Sequence, residues 1–190
     1  MNIDLIKLKL KKMMSEERYK HSLNVSLVAQ ELALKYNCNV KKAEIAGLLH
    51  DCAKDLNYKT LKKIASECNI AIDEITQKIP KLLHPVVGMV IAEKEFDIKD
   101  SVILEAIKVH STGSIHMSLL DKIIFLSDKI EPLRNLEGIE EIREIACKDL
   151  DQAVLMILDK GLLFLIAKSL VIHPISIEAR NNILNKAVFT

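Results

Sequence analysis

Turn-forming residues are scarce in this chain. Five glycines and four prolines make up about 5% of its 190 residues, against roughly 12% in average usage, and leucine, isoleucine, lysine, glutamate and alanine dominate instead. No segment sustains the alternation of a half-buried strand, so the expected fold class is all-α. The four cysteines, Cys38, Cys52, Cys68 and Cys147, form no CxxC pair. That excludes a zinc ribbon and a thioredoxin-type redox pair, and it fits a reduced, cytoplasmic setting. Charge of one sign is not in excess either: 27 Lys+Arg stand against 26 Asp+Glu, for a formal net charge of +1. With no field for non-specific binding, neither nucleic acid nor a membrane is an expected partner, and any polyanion must be met by a local site. Long apolar runs are missing. The most apolar stretch, Ala153 to Ala167, is interrupted by Asp159 and Lys160, and the N-terminal MNIDLIKLKLKKMM interleaves charge with apolar residues. Neither a membrane span nor a signal peptide is expected. No GxSxG or P-loop match occurs, so neither a serine-nucleophile turn nor a Walker-type phosphate cradle is written here.

What is present is helical periodicity. Val25, Val28 and Leu32 fall at i, i+3, i+7, and Ile103, Ala106 and Ile107 at i, i+3, i+4, each set marking one helical face. Helices are expected at 3–13, 16–36, 40–50, 60–68, 72–82, 85–96, 100–110, 118–130, 139–146, 149–168 and 176–187. Asn39, Ser118 and Asp149 supply start signals, and Pro85 is expected at a first helical position. No Pro/Gly/Ser-rich linker or internal repeat divides the chain. The expectation is one domain over 1–190, with a core of about 18–130 and C-terminal helices of about 139–187 packed on it. Oligomeric state is not readable.

The informative residues are polar ones on apolar faces. Of six histidines, His21 shares a face with Val25, Val28 and Leu32, and His50 follows Ala43, Ala46 and Gly47. His84 lines up with Val87, Gly88 and Ile91, and His110 follows Ile103, Ala106 and Ile107. Any one of these is more often a hydrogen-bonded core residue than a ligand. Asp128 changes that balance. Ile124 and Phe125 precede it at i−4 and i−3, which turns its carboxylate inward, and no Lys or Arg is expected on its immediate face. A buried carboxylate needs a cation or several donors, and a metal held by the inward histidines supplies that charge. His50 and Asp51 project about 100° apart at a helix end, close enough to reach one site. The dipeptide alone is weak, since chance places such a pair in roughly a third of chains of this composition. The signal is the ordered set His21, His50-Asp51, His84, His110 and Asp128, spread over five helices that can surround one cavity.

In that order the set resembles the HD-domain metal-dependent phosphohydrolases. The segments AGLLHDCAK, LLHPVVG, KVHSTG, MSLLDKIIFLSDKIEPLR and IEARNNIL are similar to one branch, the YqeK-type symmetrical diadenosine tetraphosphate hydrolases of bacteria. The resemblance runs from about Arg18 to Leu184. Ser111 stands where that branch usually has Thr, and SDK where it often has ADY. The resemblance implies that His21, His50, Asp51 and Asp128 hold one metal ion, and that His84 and His110 complete a second, with Asp51 bridging. Four imidazoles, two carboxylates and no thiolate suit iron or manganese, and the resemblance favours iron.

Two such cations, divalent or mixed-valent, can activate water and clamp phosphoryl oxygens, which makes a separate protein nucleophile unnecessary. Asp51 is the catalytic residue expected, orienting the attacking water through its carboxylate. Lys54 and Arg134 are expected to hold the phosphates that do not react, Lys54 as a point charge and Arg134 with its fork. Thr112 and Gly113 offer a hydroxyl and a permissive turn where phosphate or ribose can approach, and they serve equally as a helix-closing turn. His116 and His173 are expected in loops, and Cys52 is expected as a small core residue. Metal-dependent phosphoester or phosphoanhydride hydrolysis follows from the residues. The resemblance supplies the dinucleoside polyphosphate substrate and the ADP product. An HD-type nucleotidase, a cyclic-dinucleotide phosphodiesterase and a non-catalytic nucleotide-binding domain that keeps a metal for stability are the alternatives.

Overall fold

The computed structural model describes residues 2–188 of the backbone, with side chains to residue 185. Eleven α-helices and no strand occur among the described residues: α1 (Ile3–Met13), α2 (Glu16–Lys35), α3 (Val40–Leu49), α4 (Tyr58–Glu67), α5 (Glu74–Lys78), α6 (Leu83–Glu95), α7 (Ser101–Val109), α8 (Leu119–Ile130), α9 (Ile139–Ala146), α10 (Leu150–Ala167) and α11 (Pro174–Val188). Side-chain caps set many of the starts. Asn39 accepts from the Lys42 amide, Asp149 accepts from the Gln152 amide, and Ser118 and Asp121 form a reciprocal capping box, which satisfies amides that have no partner inside the helix.

Two expectations are corrected. The helix expected over 72–82 is α5 followed by a 3-10 turn over Pro80–Leu82. Pro80 has no amide hydrogen, and its ring drives Ile79 out of helical conformation; Ile79 has ψ 81°. Pro85 is the third residue of α6 rather than the first. Its missing amide hydrogen is still harmless there, because the first-turn amides have no intrahelical acceptor.

Helices α3 and α8 are the interior of the molecule. Ala43, Ile45, Ala46, Gly47, Leu48 and Leu49 are all buried in α3, and α8 buries Leu120, Ile123, Ile124, Phe125, Leu126 and Ile130. Helices α2 and α7 pack on both of them, with α6 against α7 and α10 against α8 and α9. At the crossing of α2 and α3 the two backbones approach closely. A Cβ on Gly47 would stand 2.7 Å from the Ser26 Cα, so only hydrogen fits there. Helix α11 is tied back by Arg180 to Asp159 at 2.8 Å, and Ser176 Oγ donates to the Thr112 carbonyl at 3.0 Å.

Candidate metal centre

The six inward residues expected from the sequence meet at one place. His21 comes from α2, His84 from the first turn of α6 and Asp128 from the last turn of α8; His50 and His110 end α3 and α7, and Asp51 lies in the turn after His50. All six are buried. Nδ1 of His50 donates to the Gly47 carbonyl at 2.7 Å, that of His84 to the Lys81 carbonyl at 2.5 Å, and that of His110 to the Ile107 carbonyl at 2.7 Å. A carbonyl only accepts, so each of these Nδ1 atoms carries the proton and each Nε2 keeps its lone pair. His21 is held differently, by Nδ1 to the Glu131 carboxylate at 3.2 Å. The Nε2 atoms then face each other in pairs, His21 with His50 at 3.3 Å and His84 with His110 at 3.2 Å. Lone pairs at that separation repel, and a cation between them makes the contact favourable.

Asp51 stands between the two pairs. Its Oδ2 lies 3.7 Å from His50 Nε2 and 3.9 Å from His21 Nε2, while Oδ1 lies 3.0 Å from His84 Nε2 and 3.3 Å from His110 Nε2. Oδ1 is buried without a hydrogen bond of acceptable geometry, a costly condition for an ionised oxygen. Asp128 Oδ1 approaches His21 Nε2 at 3.0 Å and His50 Nε2 at 3.7 Å. Three overlapping groups, His21-His50-Asp51, His50-His110-Asp128 and Asp51-His84-His110, each bring one donor atom per residue within 4.8 Å of the others. The convergent lone pairs and the unpaired buried oxygen fit a divalent cation.

The electrostatics favour neutral imidazoles at His84 and His110 and ionised carboxylates at Asp51 and Asp128. Burial pushes the His110 pKa down to about 4, against the pull of Asp51, and burial also lowers His84. Burial works against a charged His50 too, but Asp51 and Asp128 outweigh it and raise that group. Burial favours neutral carboxyls at Asp51 and Asp128. Nevertheless, the surrounding His50, His110 and His84 rings hold Asp51 far below the usual range, and Lys129 and His21 do the same for Asp128.

The expectation that Asp128 has no cation on its face is wrong. Lys129 Nζ meets its Oδ2, and Arg134 donates from Nη2 to its Oδ1 at 2.7 Å and from Nε to its backbone carbonyl at 2.8 Å. The chain leaves helical geometry at Glu131, with ψ 156°, and that bend returns Arg134 to the helix end where periodicity cannot place it. Sequence reasoning also missed four other contacts. Arg18 Nη1 donates to Asp51 Oδ2 at 2.7 Å. Ser111 Oγ lies 3.2 Å from His110 Nε2. Asn24 Nδ2 donates to Glu131 Oε2 at 3.0 Å, and the Leu133 amide to the same oxygen at 2.9 Å. Arg18 carried one available signal, since it precedes His21 by three residues on the same helical face.

Lys54 stays beside the centre although α3 has ended: a further turn, Lys54 N to Asp51 carbonyl at 2.9 Å, keeps its Nζ 3.0 Å from His84 Nε2. Thr112 and Gly113 line a separate cavity of about 280 Å³ with Asp73 and His173. Gly113 has φ 72° and its amide donates to the Val109 carbonyl at 2.8 Å, closing α7 in the left-handed region that favours glycine. His116 is exposed, and His173 Nε2 lies 3.4 Å from Asp73. Cys52 is buried, and burial drives its thiol up to about 12, as an inert core residue requires.

Comparison with known proteins places these residues in context. The model of the HD domain matches residues 18–133. The symmetrical bis(5'-nucleosyl)-tetraphosphatase of Bacillus subtilis is 35% identical over 164 residues, covering 86% of this chain and 88% of its own. Its counterpart from Staphylococcus aureus is 35% identical over 183 residues, covering 95% and 94%. The crystal structure of a predicted HD superfamily hydrolase involved in NAD metabolism from Clostridium acetobutylicum superposes with a TM-score of 0.95 at 40% identity, over 98% of both chains.

Proposed function

Because the chain belongs to the HD-domain family, and within it to the symmetrical bis(5'-nucleosyl)-tetraphosphatases, we propose that it hydrolyses diadenosine tetraphosphate to two ADP molecules in the cytoplasm, as one domain. The observation that carries the reading is Asp51. One buried carboxylate presents a different oxygen to each of two histidine pairs, which is the arrangement needed to hold two ions a few ångströms apart. In this reading His21, His50, Asp51 and Asp128 hold one ion, and Asp51, His84 and His110 hold the other. Iron is the metal we favour, with manganese the alternative. Bound there, the pair supplies Lewis-acid activation of water and neutralisation of phosphoryl charge.

The chain's own residues do the rest. Water adds across the central P–O–P bridge: its oxygen bonds one inner phosphorus, the bridging oxygen leaves on the other, and each half departs as ADP. Asp51 orients the attacking water. Buried imidazoles without a proton on Nε2 are available without first losing one. Lys54 and Arg134, at opposite ends of the cluster, meet the remaining phosphate charge. Thr112 and Gly113 set the turn that carries His110 and Ser111 toward phosphate or ribose.

Product identification after incubation with diadenosine tetraphosphate, on anaerobically purified protein whose metal content is measured first, tests this. ADP as the sole nucleotide product, with two metal ions per chain, is the expected result. AMP plus ATP overturns symmetrical cleavage, one ion in fully active protein overturns the dinuclear site, and no turnover by fully loaded protein overturns the hydrolase.

A further inference from the structure

A cavity of about 430 Å³ opens beside His84, walled by Arg18, Lys54, Leu56, Tyr58, Leu61 and Lys81. Its volume lies in the range of small-molecule sites, and its two ends differ in chemistry. At the end next to the metal centre, Lys54 Nζ stands 3.0 Å from His84 Nε2 and Arg18 Nη1 stands 2.7 Å from Asp51. Arg18 Nε there is buried without a hydrogen bond, its nearest carboxylate being Asp55 Oδ1 at 3.7 Å, so the guanidinium can still donate to a phosphate. At the other end Tyr58 and Leu61, three residues apart on one face of α4, continue the apolar surface of Leu56. The Asn57 side chain caps α4 by accepting from the Thr60 amide at 2.9 Å, which fixes the first helical residue, Tyr58. Tyr58 is 40% exposed, and a flat amphipathic ring on a wall is a stacking surface.

We infer that this cavity is the subsite for one nucleoside diphosphate half of the substrate, its phosphates on Arg18 and Lys54 and its base on the Tyr58 ring. The inference rests on the hydrolase reading and adds where the nucleoside goes. Bare polyphosphate has no use for the Tyr58-Leu61 wall, and an apolar ligand has none for three basic side chains. The other large cavity, about 410 Å³ between Leu32, Lys35, Ile130 and Arg143, includes the acidic Glu31 in its wall and none of the metal-centre residues. Its arginine already donates from Nε to the Ile130 carbonyl, from Nη2 to the Glu131 carbonyl and from Nη1 to Glu140.

The chain has no tryptophan, so Tyr58→Trp installs a single tryptophan on the proposed wall, selectively excited at its long-wavelength edge. Titrating ADP into the metal-loaded variant should quench its emission saturably, while pyrophosphate, which has the charge but no base, should not. Separately, Tyr58→Ala should raise KM for diadenosine tetraphosphate about ten-fold, with the loss falling on KM rather than kcat and metal content unchanged. Tyr58→Phe, which keeps the ring, should recover most of it. If the tetraphosphate is split to ADP while Tyr58→Ala leaves KM at its original value and ADP quenches nothing, the subsite is wrong and the hydrolase stands. If ADP quenches saturably but the tetraphosphate is never split, the subsite stands and the hydrolase reading falls.

Discussion

His21 differs from the other three histidines of the centre in what holds it. His50, His84 and His110 donate Nδ1–H to backbone carbonyls three residues back, whereas His21 donates to a buried carboxylate, Glu131, itself bonded by Asn24 and the Leu133 amide. A charged acceptor makes the opposite ring nitrogen a stronger donor to a metal and fixes the ring's orientation. Glu131→Gln should therefore weaken metal binding by roughly 10–100-fold, read by chelator competition, with the far-UV dichroism of the metal-free protein unchanged. Equal affinity in both proteins would reduce Glu131 to a packing residue. At this scale the inward ligands were legible in the sequence, because each histidine interrupts an apolar face and Asp128 follows Ile124 and Phe125. Glu131 was not, although it lies three residues beyond Asp128. It is one of 26 acidic residues, and the i+3 spacing that sets it on the face of Asp128 does not by itself single it out.

The helices themselves were legible wherever a cap and a periodic face coincided, as at Asn39, Ser118 and Asp149. They were misread at Pro80, where one apolar pattern continues across a break in the hydrogen-bond ladder. Which helices touch most closely has no such signature. Five glycines occur, and the contrast between two of them shows what the packing demands. A Cβ on Gly47 meets the Ser26 backbone at 2.7 Å, while one on Gly161 meets nothing within 4 Å. Gly47→Ala should thus cost about 1–3 kcal/mol in urea unfolding, because two backbones must part. It should also lower activity by moving His21 relative to His50. Gly161→Ala should stabilise α10 by about 0.5–1 kcal/mol through reduced backbone entropy. Opposite signs in the two variants are the outcome to look for, and stabilisation by Gly47→Ala would contradict the crossing described here.

Across the whole molecule the centre draws on α2, α6 and α8 and on the ends of α3 and α7, so an ion bound there joins most of the core at one point. No helix among the described residues is long and apolar enough to cross a membrane. A ligand at about a thousand times its dissociation constant stabilises the native state by about 4 kcal/mol. Chelation should lower Tm by roughly 10 °C in a chain of this size, recoverable on adding metal back; an unchanged Tm would mean that the ions contribute no cohesion. The same arrangement sets an order in time. His21 and Asp128 touch across 107 positions of the chain, and at about 5–20 residues per second of synthesis roughly 5–20 s pass between the appearance of one and of the other. For that interval His21 and His50 exist without the carboxylate that would complete their half of the site, so in the proposed assignment that ion would load only after the synthesis of α8, while the ion held by Asp51, His84 and His110 would need nothing from α8.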